Sequence, residues 1–520
     1  MCLRSNYIVI IKTAVLLLLT PLLLTASFPQ HDFSFLGWIA LIPLIIIILT
    51  VRWHKSFILS WICGVVTFMG IFSWILQVEG FSLGHYLLLG LYLGIYFALF
   101  GLLVHIFDQK KMTYPLYMAL IWVLLEYLRS HFSFLALPWA LLGHTQYKNL
   151  NLIQCASFTG VYGISFLMVL VNASLALFLY RIFRSRGKSS NKIECLVLWP
   201  LLLVFFISLW GKNICNNANL CRKVRVGLVQ GNIPQDIKWE KKMLSLTIDT
   251  YEKLTKEVAT QKPSLILWPE TSIPIDFHSY PTKLWRILRL TKSIKIPLVC
   301  GAAGRAKIGR AGHKSDGIYN SAFYISALGG VPEEYRKNKL LPFNEYVPSV
   351  GGIPLSVFSP TLKSRFLIGE KVKVFSLDKE NFGITICWEN IFPDYFRRFI
   401  IEGASFMVNI SNDGWFKDSA GPYQHLMCSV FRAVENRISI ARAANTGISC
   451  FIDPFGKIIR KVTDERGKDV GITGIASEDI PIFRERTFYT HHGDIFIFIC
   501  SGLLMLSCIW RIVRWKIKHN

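Results

Sequence analysis

Three reactive side chains follow β-rich runs in the second half of the 520-residue sequence: Glu270 in SLILWPE, Lys337 in YRKNKL and Cys387 in FGITICWEN. A cysteine near its free pKa is mostly protonated at neutral pH, so thiol catalysis needs a nearby base or a cationic field. Glu270 can be that base. The Lys337 ammonium can stabilise the negative charge that acyl transfer builds on the attacked oxygen. Together they predict a thiol-dependent catalytic centre without a histidine.

Each of these residues also has a purely structural interpretation. Free cysteine is usually buried and packs like a small apolar residue, which is the favoured interpretation of Cys387 on its own. Glu270 alone reads as a surface carboxylate, and Lys337, Lys339 and Glu345 surround the apolar LLPF as a solvated loop would, with ion pairs of little value. The catalytic interpretation depends on the side chains meeting in one cleft, where Glu345 can keep the lysine charged and oriented.

The elements that must position these side chains alternate between strands and helices. Strands are predicted at 224–230, 264–270, 296–303, 319–326, 382–389, 405–413 and 448–456, and helices around 243–260, 283–291, 393–402 and 424–438. This alternation is typical of a layered α/β domain. In such domains reactive side chains commonly lie just past the carboxyl ends of strands.

The rest of the chain is too apolar for an ordinary soluble enzyme, with 52% hydrophobic residues, 17% charged residues and a mean hydropathy of +0.41. Runs long enough to cross a bilayer occur near 7–27, 34–51, 56–77, 85–108, 115–136, 152–180, 194–210 and 494–512. We therefore predict a membrane domain over 1–211 with seven transmembrane helices, a catalytic domain over 212–492, and a last transmembrane helix with a basic tail over 493–520.

The net charge of +24 could indicate a nucleic-acid partner, but its placement argues otherwise. The positive residues gather in alternate short loops, at 52–55, 110–111, 181–192 and 511–518. By the positive-inside rule these loops face the cytoplasm, which puts the catalytic domain on the outer side and the C-terminus inside. No Cys/His spacing typical of a zinc site is present, and we expect no metal and no cofactor.

The order of Glu270, Lys337 and Cys387 resembles the Glu-Lys-Cys triad of the nitrilase (carbon–nitrogen hydrolase) superfamily, whose fold is an α-β-β-α sandwich. VQGNIPQDIKWE, LLPFNEYVP, NISNDGWFKDSAGPYQH and RAANTGISCFIDPFG, together with WVLLEYLRS and LPWALLGHTQ, are similar to motifs of its membrane-embedded branch, the apolipoprotein N-acyltransferase family. The resemblance implies an α-helical membrane bundle of seven helices plus one, with an inserted nitrilase-like sandwich.

The resemblance also implies a role for each residue that matches a family motif. Glu270 is expected to be the general base, Lys337 the oxyanion stabiliser and Cys387 the nucleophile. Glu345 and Glu389 match further glutamates of the family's site. Four aromatic residues match positions near the cleft, where they either contact substrate or simply pack a loop: Trp239, Tyr346, Trp388 and Trp415.

The reaction implied by this family is a ping-pong acyl transfer in the bacterial inner membrane. An acyl chain passes from a phospholipid, with phosphatidylethanolamine as the expected donor, through a Cys387 thioester to the α-amino group of the diacylglyceryl-cysteine of an apolipoprotein. This is the last step of lipoprotein maturation. The partners are then two lipid-anchored substrates and the bilayer, with no nucleic acid, and a monomer suffices.

Two questions stay open at this level. Glu126 and Arg129, three residues apart on one helical face, either form a structural ion pair or contact a phospholipid headgroup, since charged residues inside membranes are often functional. The same triad also suits a membrane-tethered amidase that hydrolyses small amides. A transporter or receptor would leave the three reactive residues unexplained, and no inverted repeat of helices is evident.

Overall fold

The computed structural model describes residues 2–184, 191–217, 222–235, 238, 240, 242–276, 281–305, 317–356 and 366–519. The chain divides into two compact units. One comprises Met1–Leu76, Phe81–Asn217 and His492–Asn520, and the other comprises Gln77–Gly80 and Ala218–His491.

The first unit is helical. Its N-terminal part contains α1 (Cys2–Ser27), α2 (Ile42–Thr50), α3 (Trp53–Ile71), α4 (Leu83–Leu103), α5 (Tyr114–His131), α6 (Leu150–Ile153), α7 (Ala156–Thr159), α8 (Val161–Arg184) and α9 (Asn191–Asn216). Among the described residues, five helices are long and apolar enough to cross a membrane, at Trp53–Ile71, Leu83–Ile106, Val161–Arg184, Leu196–Asn216 and Ile495–Ile517. These helices fit a membrane protein, while the count of seven plus one stays a prediction.

Two of the predicted apolar segments are interrupted. Where one segment over 34–51 was expected, a 3-10 turn at Ser34–Trp38 precedes the nine-residue α2, which begins with Pro43 in its first turn. Where a segment over 152–180 was expected, α8 begins only at Val161 because Gly160, with φ +62°, breaks the helical path after α7. Apolar composition predicted these regions but not the breaks within them.

The second unit contains two large β-sheets. The first sheet has the order β15-β1-β2-β4-β5-β6, with β3 beside β4, and the second has the order β14-β13-β12-β11-β10-β9. The strands are β1 (Arg222–Gln230), β2 (Leu265–Leu267), β3 (Ile273–Asp276), β4 (Leu298–Arg305), β5 (Ile318–Ile325), β6 (Glu333–Arg336), β7 (Ser349–Val350), β8 (Ile353–Pro354), β9 (Val374–Leu377), β10 (Glu380–Ile386), β11 (Phe406–Ser411), β12 (Ser439–Ala444), β13 (Cys450–Ile452), β14 (Ile458–Lys461) and β15 (Gly474–Ile482). Strands β7 and β8 form a separate hairpin.

Helices pack on both sheets of this unit. The remaining helices are α10 (Met243–Ala259), α11 (Pro281–Ile294), α12 (Pro393–Ile401), α13 (Gly421–Asn436) and α14 (Phe488–His492), followed by α15 (Ile495–His519) of the first unit. Helix α10 contacts β1 and β2, α12 contacts β10, and α13 contacts β12. Tyr251 of α10 stacks on Trp268 in a core where both rings are fully buried.

The central strands of both sheets run parallel, and this sets where the loops of the site emerge. Strands β1, β2 and β4 are parallel neighbours, as are β10, β11 and β12. Such strands are covered on both faces and read as continuous apolar runs, as LIL of β2 does. The turn after β2 carries Glu270, and the turn after β10 carries Cys387.

Gly301 of β4 allows the Glu270 turn to pack directly on the sheet. A Cβ atom at this position would lie 2.5 Å from the backbone nitrogen of Thr271 and 2.7 Å from the Cα atom of Glu270. The Gly301 N–H also donates to the Pro269 carbonyl oxygen at 3.2 Å. The close approach of two backbones therefore requires glycine here and fixes the turn that carries the carboxylate.

Candidate active site

Glu270 lies three residues beyond β2 in a turn that buries its carboxylate. Its Oε2 accepts a hydrogen bond from the Asn412 backbone N–H at 2.9 Å, and its Oε1 accepts one from Asn320 Nδ2 at 2.8 Å. The next residue, Thr271, has φ +49°. This left-handed conformation is unusual for a β-branched residue, and it follows directly on the residue whose carboxylate makes these contacts.

Lys337 follows β6 directly, and its side chain is 2% exposed. Its Nζ atom donates to Glu345 Oε1 at 2.8 Å and lies 3.5 Å from Glu270 Oε1. Burial opposes the charge, but the carboxylates of Glu345 and Glu270 outweigh it and hold the pKa of Lys337 above its usual value. The lysine therefore carries a fixed positive charge, and Glu345 is its closest carboxylate.

Cys387 begins the 3-10 turn Cys387–Ile391 immediately after β10, with φ +55°. Its carbonyl oxygen accepts a hydrogen bond from Asn409 Nδ2 at 3.1 Å. Burial raises the pKa of the Cys387 thiol, the negative charge of Glu270 raises it further, and Lys337 opposes both. These effects together favour the neutral thiol, so a reaction through this sulfur would need a base to take its proton.

Glu389 ties the cysteine turn to the segment that carries the lysine. Its Oε1 accepts from the backbone N–H groups of Asn338 at 2.6 Å and Lys339 at 3.0 Å, and its Oε2 accepts from the Tyr335 hydroxyl and the Ile386 N–H, both at 2.8 Å. Burial raises the pKa of Glu389 to about 7, against the effect of these backbone donors. Glu389 thereby connects the turn that carries Cys387 to the segment that follows Lys337.

The four aromatic residues predicted near the cleft have different environments. Trp388 is nearly buried, donates from Nε1 to the Lys339 carbonyl oxygen at 2.6 Å and packs edge-to-face on Phe392. This arrangement closes the cysteine turn against the lysine segment. Tyr346 and Trp415 are partly buried, and Trp239 lies outside the described residues.

Several polar residues of the site were missed by the sequence analysis. Asn320 of β5 donates to the carboxylates of both Glu270 and Glu345. Asn412 donates from Nδ2 to Gln235 Oε1 at 2.7 Å, which links Glu270 to the segment after β1. Lys238 of that segment is fully buried, donates to Thr271 Oγ1 at 2.9 Å, and has its pKa lowered by burial to about 7. The available signal was weak: Asn320 lies within an apolar run, Asn412 follows a strand end, and Lys238 lies in a polar segment after β1.

Glu126 and Arg129 lie in the first unit, buried on α5. Glu126 Oε1 accepts from Trp122 Nε1 at 3.0 Å and from the Leu142 N–H at 2.8 Å, while Arg129 Nη2 donates to the Ala140 carbonyl oxygen at 3.1 Å. Glu126 Oε2 and Arg129 Nη1 have no hydrogen-bond partner among the described residues. Both side chains line a cavity of ≈ 40 Å³ with mostly apolar walls.

The arrangement in the second unit defines a class of protein. A carboxylate, a fixed ammonium and a thiol form one electrostatically coupled cluster, which suits acyl transfer through a thioester. Residues 225–484 match the Carbon-nitrogen hydrolase family model. The second unit is therefore a carbon–nitrogen hydrolase domain, which confirms the resemblance of the triad.

The relatives place the whole chain more narrowly. Residues 21–174 match the model of the Apolipoprotein N-acyltransferase N-terminal domain. An apolipoprotein N-acyltransferase of Geobacter metallireducens is 34% identical over 99% of this chain and 97% of its own length, and one of Haemophilus influenzae is 30% identical over 86% of each. The crystal structure of Saccharomyces cerevisiae Nit3, a member of branch 10 of the nitrilase superfamily, aligns with 50% of this chain and 91% of its own at 18% identity and a TM-score of 0.39. The chain belongs to the apolipoprotein N-acyltransferase family.

We expect Glu389→Gln to lower the stability of the catalytic unit, by about 2 kcal/mol or more, because a glutamine amide cannot accept from all four donors and leaves some of them unsatisfied. Between pH 4.5 and about 7 the folded state binds this proton more tightly than the unfolded chain, so the contribution of Glu389 to stability falls as the pH rises. The variant should lose that dependence. Thermal unfolding at several pH values measures both effects.

Tyr335→Phe is the matched control for this prediction, because it removes only one of the four donors and leaves the carboxylate in place. Its melting temperature should fall less than that of Glu389→Gln. Equal melting temperatures for Glu389→Gln and the wild type would contradict the role given to Glu389.

Proposed function

We propose that the protein is a phospholipid:apolipoprotein N-acyltransferase that works through a thioester on Cys387. The observation that carries this proposal is the electrostatically coupled cluster of the buried Glu270 and Lys337 with the partly buried Cys387, in a chain whose full-length relatives are named apolipoprotein N-acyltransferases. The donor is phosphatidylethanolamine, and the acceptor is the free α-amino group of the diacylglyceryl-cysteine of an apolipoprotein.

In the first half-reaction the Cys387 sulfur attacks the carbonyl carbon of a phospholipid ester while Glu270 takes the thiol proton. Negative charge then develops on the ester oxygen, and the Lys337 ammonium stabilises it. When the intermediate collapses, the carbon–oxygen ester bond breaks and the departing alkoxide takes the proton from Glu270. The products are a thioester on Cys387 and a lysophospholipid.

In the second half-reaction the α-amine attacks the thioester carbon and Glu270 accepts a proton from the nitrogen. The carbon–sulfur bond breaks, the thiolate recovers the proton, and the acyl chain leaves as an amide. Water would also cleave the thioester, so exclusion of water favours the amine. The nearly buried Trp388 supports this exclusion of water, because its ring holds the turn that carries the Cys387 sulfur against the Lys339 segment.

The architecture predicted from the sequence completes the proposal. The two sheets and their helices are interpreted as an α-β-β-α sandwich, since β1 of one sheet contacts β12 of the other. The chain is a multi-pass protein of the bacterial inner membrane with seven helices before the catalytic domain and one after it. The catalytic domain lies in the periplasm, the C-terminus in the cytoplasm, and a monomer suffices. Tyr346, Trp415 and Trp239 contact the lipid substrates.

Glu126 and Arg129 contact the phospholipid headgroup in this proposal. Each is buried and keeps one polar atom without a partner among the described residues, facing a cavity with room for a small polar group. The two charges are electrostatically coupled to each other, and a zwitterionic ligand would keep that balance while binding the remaining polar atoms. An ethanolamine phosphate offers a cation to Glu126 and an anion to Arg129.

A membrane-tethered amidase for small amides is less well supported. It would use the same triad, but it would not explain why full-length relatives across both units are named N-acyltransferases.

We expect purified wild-type protein incubated with labelled phosphatidylethanolamine to accumulate an acyl adduct on Cys387 that hydroxylamine removes. Cys387→Ala should accumulate none, because the sulfur that forms the thioester is absent. Wild type without any adduct, or an adduct that persists in the variant, would contradict the mechanism. A diacylglyceryl lipopeptide with a free amine should then discharge the adduct to an amide, whereas a blocked amine should not, and an amidase would discharge it to water.

The proposed orientation predicts that two engineered cysteines are labelled from opposite sides of the membrane. The wild-type protein gives the background labelling of the native cysteines. A membrane-impermeant maleimide should label Lys256→Cys on α10 from the periplasmic side and Ser189→Cys only after permeabilisation. Labelling of Ser189→Cys in intact spheroplasts would contradict this orientation.

The headgroup role predicts that Arg129→Lys and Glu126→Gln raise the KM for phosphatidylethanolamine by about tenfold, the value of one hydrogen bond to a charged group. The rate at which iodoacetamide alkylates Cys387 should stay unchanged, because neither residue belongs to the thiol cluster. A lower melting temperature with unchanged KM would instead assign the two residues a structural role.

A further inference from the structure

Asn320 lies between the two carboxylates of the catalytic cluster. Its Nδ2 atom donates to Glu270 Oε1 at 2.8 Å and to Glu345 Oε1 at 2.9 Å, and the residue is 4% exposed. The backbone places it there: β5 and β6 pair in antiparallel register, and the Asn320 carbonyl oxygen accepts the Lys337 N–H at 2.9 Å. The amide and the catalytic ammonium therefore emerge side by side from neighbouring strands.

The orientation of the Asn320 amide follows from its partners. Ionised carboxylate oxygens only accept hydrogen bonds, so the group that faces both of them is the NH₂ and not the carbonyl oxygen. The opposite end, Oδ1, has no hydrogen-bond partner among the described residues. A buried amide normally satisfies both ends. The side chain at this position thus donates to both carboxylates, while its own amide oxygen is left without a hydrogen bond among the described residues.

Asn320 and Lys337 share the same two acceptors, and they divide them unequally. Lys337 Nζ lies 2.8 Å from Glu345 but 3.5 Å from Glu270. The close donor to Glu270 Oε1 is therefore the neutral amide of Asn320 and not the ammonium. If Glu270 bound the ammonium tightly, its capacity to take a proton from the thiol would fall, and the ammonium would be drawn away from the attacked oxygen.

We propose that Asn320 is a positioning residue that holds Glu270 as the proton acceptor of Cys387 while leaving Lys337 with Glu345. This inference rests on the roles proposed for Glu270, Lys337 and Cys387. A neutral donor suits the position because the cluster already contains two carboxylates and one ammonium. An aspartate would add a third carboxylate, which repels the others or keeps a proton, and an alanine would leave Glu270 Oε1 without its close donor.

The test measures the rate at which iodoacetamide alkylates Cys387 in the full-length, detergent-solubilised protein, as a function of pH. For Asn320→Asp and Asn320→Ala we expect this rate at pH 7 to fall by about 10- to 100-fold, the value of a hydrogen bond to a charged group. The rise of the rate with pH should move to higher pH: in Asn320→Asp the added negative charge disfavours the thiolate, and in Asn320→Ala the ammonium pairs with Glu270 and weakens it as the proton acceptor. Ser321→Ala is the matched control: it changes the next residue of β5, whose hydroxyl bonds Glu334 outside the cluster.

A merely structural role for Asn320 predicts a different result. The variants would then melt at lower temperature while the pH profile of alkylation stayed at the wild-type position, and that outcome overturns the proposal. Asn320→Asp has nearly the shape of the native residue, and Asn320→Ala serves if the aspartate variant does not fold. Alkylation needs no lipid, so a wild-type enzyme that alkylates normally but transfers no acyl chain would contradict the proposed function and leave the role of Asn320 intact.

Discussion

The catalytic unit is organised around one buried positive charge, the ammonium of Lys337. A charge removed from water costs several kcal/mol unless it is paired and hydrogen-bonded. Glu345 and Glu270 supply the pairing, and they in turn need donors of their own, which come from Asn320, the Leu341 N–H and the Asn412 N–H. The donors around the two carboxylates thus help to stabilise the buried charge of Lys337. The same contacts orient the groups that the proposed reaction uses.

Local backbone strain shows how firmly this arrangement is held. Thr271, which follows Glu270, and Cys387 both adopt left-handed conformations without being glycine. Conformations of this kind cost about 1–3 kcal/mol each and persist where the surroundings determine them. The packing of Gly301 against the first turn and the hydrogen bond from Asn409 to the second provide those surroundings. The carboxylate and the sulfur are therefore oriented before any substrate binds.

The sequence pointed to site residues that directly follow a predicted strand. It missed residues whose position in the site is set by the pairing of strands distant in sequence. Glu270 and Cys387 could be found because each follows a clear apolar run. Asn320 lies inside the run YNSAFYIS, where a polar residue reads as one that faces solvent, and only the register of β5 against β6 turns it toward the carboxylates. Strand β6 itself, EEYR, and strand β12, SIARAA, lack the apolar alternation that indicates a strand. Their positions follow from tertiary contacts, such as the buried Arg442 of β12 bound to Asp413.

Among the described residues, the Glu270 carboxylate has three donors from segments far apart along the chain: Asn320, Lys337 and Asn412 lie 50, 67 and 142 residues beyond it. A chain that has emerged only as far as Cys387 lacks Asn412, the second sheet is incomplete, and no base is yet held near the sulfur. The proposed reactivity of Cys387 therefore depends on completion of the domain, because only the complete fold holds the Glu270 carboxylate in place.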